Sequence, residues 1–358
     1  MKVAFVLSAV SNHGPFIVAM GIINNIHKLM SDPIDVFYLK DSDEKLEFEA
    51  RCSKIGFLDK IDFNNYDIIH SHGFIADMYM ALNRKRFNKV WITTMHQYIK
   101  PQYAMNYNFM TATLIEKIWC FGVNKSNCVV TLTEDMEKYY RCKIAEDKLK
   151  HIHNGVSYEL SGQPIPADDL EKIKALKERY AVLGVSARLG YIKGVDLIIK
   201  ALATEANSLS ALIVIGDGAE LENLKALAKQ YDVGSRCLFL GYRRHVIDYY
   251  KYFDLYIMSS RSEAFGLCVI EAASQKIPVV CSNLVVYEEL FTESEVVKFV
   301  IGNVESLSNA ITSALNDKKR LSERIYQLYL KNYTATVMAS KYFMLYEELI
   351  AGLSKKIT

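Results

Sequence analysis

Two glutamates separated by seven residues, Glu263 and Glu271, lie in the stretch Ser259-Ser-Arg-Ser-Glu-Ala-Phe-Gly-Leu-Cys-Val-Ile-Glu271-Ala-Ala. The order of residues predicts a buried strand ending at Ser259, a short loop carrying Glu263 and a helix starting near Phe265–Gly266. The first turn of a helix presents unpaired backbone N–H groups and the positive end of the peptide dipole, so it stabilises a phosphate without a metal. Gly266 lets backbone approach such a group closely. Glu271, about one and a half turns into the helix, could reach sideways to a hydroxyl-rich group such as a ribose, while Glu263 points into the crevice. The plain alternative makes Glu263 a solvated loop residue and Glu271 an ordinary surface position, since acidic residues are favoured at helix starts anyway.

The elements that must position this stretch follow one pattern. Short apolar runs alternate with longer helical segments, the signature of parallel sheets covered by helices. In the first half the runs are Lys2–Leu7, Ile34–Tyr38, Asp67–His70, Val90–Thr94 and Cys128–Leu132. Apolar on both faces, they suit central parallel strands. Within His151–Ala167 the run Ser161-Gly-Gln-Pro-Ile-Pro-Ala carries two prolines and a glycine that interrupt both kinds of element, so the linker belongs there. A charged helix over Asp168–Tyr180 and a second set of runs follow: Val182–Ser186, Ala211–Gly216, Cys237–Leu240, Leu255–Ser259 and Pro278–Ser282. Several end in Gly or Ser before a helix, which leaves a ligand crevice at the carboxyl edge of a sheet. The expected fold class is α/β, with residues 1–164 forming one domain and 165–335 the other. A C-terminal helix of about 336–358 packs back on the first.

Bulk properties agree with this plan. A chain of 358 residues with 51% hydrophobic content supplies two cores. Lys plus Arg is 43 against 41 Asp plus Glu, a formal charge of +2, which argues against nucleic acid as a partner. Seven scattered cysteines, none spaced Cys-x-x-Cys, read as free thiols in a reducing compartment. The apolar start Met-Lys-Val-Ala-Phe-Val-Leu is too short for a signal peptide and reads as a first buried strand. No apolar run is long enough to span a bilayer. The expected location is cytoplasmic, with contact at the inner face of the membrane left open.

The pair Glu263…Glu271 with Phe-Gly-Leu between resembles the signature of family-4 retaining glycosyltransferases of the GT-B fold. Val185-Ser-Ala-Arg-Leu-Gly-Tyr-Ile-Lys-Gly-Val-Asp196 is similar to the family's Gly-Arg-Leu…Lys-Gly motif, and Leu212-Ile-Val-Ile-Gly-Asp-Gly218 to its Gly-Asp-Gly loop. Phe239-Leu-Gly241, Asp254–Ser260 and Pro278–Ser282 follow in the expected order, as do Asp67-Ile-Ile-His-Ser-His-Gly73 and His151-Ile-His-Asn-Gly-Val156 in the first half. Their ordered co-occurrence over most of the chain is more specific than any one of them. The resemblance implies two Rossmann-like domains with parallel sheets facing across a cleft, and closure that excludes water. It implies transfer, with retained configuration, of a hexose-type sugar from a nucleoside diphosphate sugar, UDP favoured, to a glycan or lipid-linked acceptor. The related enzymes assemble O-antigen, capsule or other surface polysaccharide.

The resemblance also assigns roles. Arg188 and Lys193 bind the pyrophosphate, where fixed cations stabilise leaving-group charge more in the transition state than in the ground state. Arg grips phosphate at two points and Lys acts as a point charge. No Asp-x-Asp motif accompanies them, so no metal or other cofactor is expected. Glu263 holds donor-sugar hydroxyls, His96 contacts the sugar from the other domain, and Glu271 binds the ribose. Gly216, Asp217 and Gly218 line the nucleotide pocket, with Gly241–Tyr242 at the base and Phe265, Gly266 and Leu267 at the phosphate. In the loop Ser11-Asn-His-Gly-Pro15 only Gly14 remains of a glycine-rich motif, and Ala187 and Ala264 stand where glycine is common. Asn283-Leu-Val-Val replaces a more polar loop. His72 is a candidate acceptor-side residue, with His151 and His153 taken as structural.

Arg84-Lys-Arg86 and Lys89 form a basic cluster near Tyr98, Tyr103, Tyr107 and Phe109. It reads either as a peripheral contact with anionic lipid or as a solvated basic turn beside core aromatics. Rival functions are a sugar-nucleotide 2-epimerase of the same fold and a non-catalytic sugar-nucleotide-binding subunit. A dinucleotide oxidoreductase lacks its Gly-x-Gly-x-x-Gly turn. The sugar, acceptor, linkage and oligomeric state are not encoded in these motifs.

Overall fold

A computed structural model of the protein describes residues 1–105, 107–158 and 162–357. Residues 159–161 of the expected linker lie outside it. The chain divides into two compact units, Met1–Ser157 with Asn332–Thr358, and Tyr158–Lys331.

The first unit runs β1 (Val3–Ala9), α1 (Gly14–Ile26), β2 (Asp35–Lys40), β3 (Arg51–Lys54), β4 (Ile68–His72), α2 (Phe74–Asn83), β5 (Val90–Thr94), α3 (Ile99–Ala104), α4 (Phe109–Val123), β6 (Cys128–Thr131), α5 (Glu134–Tyr140) and β7 (Leu149–His151). Its seven strands form one parallel sheet in the order β3-β2-β1-β4-β5-β6-β7. The five strands legible as apolar runs occupy the middle. The two additions, β3 and β7, are the edges; all four residues of β3 are exposed, so it carries no apolar run to betray it. The C-terminal helix Ala335–Ile357 packs on α1 and on β5. Register sets His70 against Ile92 and His72 against Thr94. In α2 the buried Asp77 carboxylate accepts from Ser71 and Thr93 hydroxyls at 2.6 Å and the Trp119 indole at 2.7 Å, tying together α2, β4, β5 and α4.

The second unit runs α6 (Ala167–Lys177), β8 (Ala181–Ser186), α7 (Val195–Leu202), β9 (Ser210–Ile215), α8 (Leu221–Gln230), β10 (Cys237–Gly241), α9 (Ile247–Tyr250), β11 (Leu255–Met258), α10 (Leu267–Ser274), β12 (Val279–Ser282), α11 (Val285–Leu290), β13 (Val296–Phe299), α12 (Val304–Asn316) and α13 (Lys318–Asn332), with the C-terminal helix as α14. Its parallel sheet has the order β10-β9-β8-β11-β12-β13. Leu183, Leu212, Leu255, Ile257 and Val280 from the sheet pack with Ile198, Leu202 and Ile311 from α7 and α12. Strand β13 was not legible from sequence.

In each sheet the chain begins near the centre and reverses direction of travel, between β1 and β4 in one and between β8 and β11 in the other. Adjacent loops leave in opposite directions there, so each sheet opens a crevice at its carboxyl edge. Among the described residues no helix is long and apolar enough to cross a membrane.

Candidate functional site

The crevice of the second sheet is built by the loops after β8 and β11, neighbours through Leu183↔Leu255 and Gly184↔Tyr256. The first loop, residues 187–194, carries Arg188 and a single turn of 3-10 helix, Tyr191–Lys193. The second carries Glu263 and ends at Gly266, which caps α10. Gly194 has φ 65°, and a Cβ there would strike the Ser259 carbonyl, so only glycine lets the two loops close on each other.

The two loops share a charged pair. Lys193 Nζ donates to Glu263 Oε1 at 2.6 Å, and the Ser260 hydroxyl donates to the same oxygen at 2.7 Å. Burial pulls the ammonium down, but the adjoining carboxylate outweighs it and leaves the Lys193 pKa raised. The ammonium therefore stays charged and fixed in place. Arg188 is exposed at the mouth of the loop.

The turn presenting Lys193 is splinted by residues to which the sequence assigned no role. Ser259 donates to the Lys193 carbonyl at 2.9 Å, and Arg261 N–H donates to the Ile192 carbonyl at 2.7 Å. The Arg261 guanidinium donates to the Tyr191 carbonyl at 2.6 Å and to both Asp196 carboxylate oxygens at 2.9 Å, lying over the Tyr191 ring. Arg261 and Asp196 are far apart in sequence, so their types alone gave no signal of pairing. Ser282 at the end of β12 donates to the Ser260 carbonyl at 2.8 Å, supporting the Glu263 loop from beneath.

Helix α10 starts at Gly266 with φ 84°, a left-handed conformation in which a Cβ would meet the Tyr287 hydroxyl. That hydroxyl is buried with no hydrogen-bond partner among the described residues. Phe265 is buried behind the helix tip, and Leu267 opens the helix. Glu271 is not the surface helix position that the plain alternative supposed: it is 8% exposed. Its two oxygens accept from the Tyr158 hydroxyl at 2.8 Å and the Tyr250 hydroxyl at 2.9 Å, and Tyr250 in turn lies 2.7 Å from Ser186 Oγ. Burial raises its pKa against the lowering effect of these donors. A carboxylate has about four lone-pair positions, so each oxygen retains capacity for a further hydroxyl.

The β9 and β10 loops adjoin the same edge. Gly216 N–H donates to the Gly241 carbonyl at 2.9 Å, and Leu189 N–H donates to the Asp217 carbonyl at 2.8 Å, joining this loop to the one bearing Arg188. Asp217 Oδ1 turns back to accept from Gly218 N–H at 2.7 Å. Tyr242, just beyond β10, is 53% exposed. Arg188, Lys193, Gly216, Asp217, Gly218, Tyr242, Glu263, Phe265, Gly266, Leu267 and Glu271 are thus gathered on the carboxyl side of one sheet. Together they set two cations, the N–H groups of the first turn of α10 and two carboxylates at one sheet edge.

Gly14 and His96 belong to the first unit. Gly14 opens α1, followed by Pro15 in the first turn, where its missing N–H costs nothing. His96, two residues beyond β5, lies with Nε2 2.8 Å from His72 Nδ1, their rings stacked. Burial pushes His96 down to about 3 and takes His72 well below its usual value, so both are neutral near pH 7. His72 is wholly buried and its Nε2 has no partner among the described residues. A residue enclosed in this way supports His96 and cannot itself meet an acceptor, which corrects the expectation from sequence. His70 anchors α14, with Nδ1 2.6 Å from the Tyr346 hydroxyl and Nε2 2.8 Å from Thr94. His151 Nδ1 donates to Glu137 Oε2 at 2.7 Å.

The basic cluster divides. Arg84 is tied to the carbonyls of Phe87 and Lys125, and Lys89 lies 3.9 Å from Asp67. Lys85 and Arg86 are exposed. Tyr98 is half-buried and donates to Asp135, whereas Tyr107 and Phe109 are exposed.

Comparison with known proteins adds independent findings. Residues 167–330 match the family described as Glycosyl transferases group 1, and residues 47–160 match Glycosyltransferase Family 4. The O-antigen biosynthesis glycosyltransferase WclY of Escherichia coli is 28% identical, over 98% of this chain and 99% of its own length. The lipopolysaccharide core biosynthesis mannosyltransferase LpcC of Rhizobium leguminosarum bv. viciae is 30% identical over 46% of this chain and 49% of its own. Among solved structures, Anabaena Alr3699/HepE in complex with UDP is similar in fold, with a TM-score of 0.80 and 16% identity, over 97% of this chain and 100% of that one.

Proposed function

Because the chain belongs to the family-4 glycosyltransferases, we propose that this enzyme transfers a hexose-type sugar from a nucleoside diphosphate sugar to a glycan or lipid-linked oligosaccharide, with retention of configuration. The observation that carries the reading is the fixed Lys193–Glu263 pair at the reversal point of the second sheet, beside the α10 tip. UDP is the favoured nucleotide, supported by the bound UDP of the similar HepE structure. Surface polysaccharide assembly, O-antigen in particular, is supported by the likeness to WclY.

In this reading the diphosphate lies across Arg188, Lys193 and the first turn of α10. Negative charge grows on the leaving oxygen as the glycosidic bond breaks, and both cations and the helix dipole stabilise it. Lys193 exchanges its bond to Glu263 for one to phosphate, freeing Glu263 to accept from sugar hydroxyls. The leaving phosphate then takes the proton of the acceptor hydroxyl that attacks on the same face. Glu271 accepts from the ribose with the lone pairs its tyrosines leave open.

The test is thermal denaturation with UDP, GDP and their hexose conjugates, followed by transfer assays to lipid-linked oligosaccharides. A ligand at about 100 times its Kd adds about 2.7 kcal/mol to apparent stability. The reading expects UDP-hexoses to shift the midpoint and a product with the donor's anomeric configuration. Epimerised nucleotide sugar formed without acceptor, or binding with no turnover on any acceptor, would replace it with one of the rivals.

A further inference from the structure

His72 and His96 share one hydrogen bond, and its direction decides what His96 can offer a ligand. His72 ends β4 and is wholly buried, its ring stacked on that of His96 with centroids 5.1 Å apart and lying 4.3 Å from that of His70. Both nitrogens of His70 are occupied, Nδ1 by the Tyr346 hydroxyl and Nε2 by Thr94 Oγ1. The remaining polar contact of the trio joins His72 Nδ1 to His96 Nε2 at 2.8 Å. The partners of these rings are hydroxyls and one another, so among the described residues no carboxylate compensates an imidazolium. An unpaired buried charge is costly, and His72 and His96 are both neutral. A neutral imidazole carries one N–H, so a single proton lies between the two nitrogens.

That proton can sit on either side, and the atom at the far end of His72 separates the two cases. If His96 Nε2 donates, His72 Nδ1 is bare and the His72 proton must sit on Nε2, which has no partner among the described residues. An N–H would then be orphaned among the buried rings of Phe5 and His70. If His72 Nδ1 donates instead, Nε2 keeps only a lone pair. Orphaned N–H groups are rarer in protein interiors than under-used acceptors, so the second order prevails. His96, accepting at Nε2, must then hold its own proton on Nδ1. It is partly exposed two residues beyond β5, at the carboxyl edge of the first sheet, and Nδ1 is the ring nitrogen left to meet a ligand.

We propose that His72 is a positioning residue: by donating from Nδ1 it locks His96 in the Nδ1–H form and makes it a hydrogen-bond donor to a saccharide oxygen. The tautomer stands on the first unit alone; that the oxygen belongs to a saccharide rests on the proposed sugar transfer. The test records two-bond ¹H–¹⁵N correlations of the full chain labelled in histidine, with signals assigned by their loss in His72→Asn and His96→Gln. Near pH 7 both rings should show a protonated Nδ1 and a bare Nε2; an Nε2–H on either overturns the proposal. His72→Asn places an amide N–H near the position of Nδ1, so His96 should stay in the Nδ1–H form with kcat/KM for sugar transfer within about threefold of the parent. His72→Phe removes the donor, so His96 should populate both tautomers and kcat/KM fall by about tenfold. A phenylalanine variant that leaves His96 as Nδ1–H, or an asparagine variant that behaves like it, also refutes the role. Should neither variant fold, the spectra of the unaltered protein still decide. Spectra as expected with no transfer to any acceptor uphold the tautomer and remove the sugar reading alone.

Discussion

Replacing Lys193 with Met separates catalysis from stability. The side chains of Lys193 and Glu263 are 26% and 11% exposed, and their atoms approach to 2.6 Å. Breaking a fully buried pair costs about 3–5 kcal/mol, because a charge is left without compensation. Here Lys193 is partly solvated and Ser260 still donates to Glu263, so a loss of about 2 kcal/mol is expected. The catalytic loss is larger. A preorganised charge aimed at a developing anion is worth about 2.7–4 kcal/mol, or roughly 10²–10³ in kcat. Urea denaturation and single-turnover sugar transfer measure the two effects separately. The double variant Lys193→Met/Glu263→Gln removes both charges, so most of the lost stability should return while turnover stays depressed. If turnover recovers with stability in the double variant, Lys193 serves the fold alone and the assignment fails.

Arg261→Lys keeps the charge but loses the two-point grip on Asp196, so the turn carrying Lys193 should shift and kcat fall by about ten- to a hundredfold; an unchanged kcat in the folded variant contradicts the splint. Gly266→Ala forces a side chain into a backbone with φ 84° and against Tyr287, costing about 1–3 kcal/mol; urea denaturation indistinguishable from the parent would show the tip to be more pliant than described. Stability should fall as pH drops below about 6.5. His70, His72 and His96 have folded pKa values below the unfolded one, so their contribution is complete above that value and is lost as pH falls through it toward the folded values. Each contributes a limiting slope of about 1.4 kcal/mol per pH unit. Asp77, raised by burial to about 6, acts in the opposite sense, its contribution being present at low pH and lost as pH rises through that value. Glu271, also raised by burial, acts in the same sense as Asp77; three imidazoles against two carboxyls still leave a net decline, and a flat unfolding free energy between pH 7 and 5 would refute the account of the histidine cluster.

The alternation of strands and helices is legible in the order of residues, because central parallel strands are apolar on both faces and announce themselves as runs. Glu263 and Glu271 stood out by charge and glycine beside a strand end, which are local features, whereas Arg188 and Lys193 were marked by the resemblance of the motif around them. Edge strands β3 and β13 escaped notice, as the outer strand of a sheet need not bury a continuous apolar run. The remaining features arise from packing. That Arg261 clasps Asp196, that Tyr158 and Tyr250 enclose Glu271, and that His72 faces His96 are consequences of strand order, which brings distant residues to one sheet edge. Burial likewise belongs to the folded chain: the same histidine or glutamate is solvated or desolvated according to what packs around it, and its charge state follows. The exposed row Met110, Leu114, Ile118 and Phe121 of α4 shows the converse, for its apolar spacing is plain in the sequence, yet a buried stripe and an exposed one read alike until the helix has been packed.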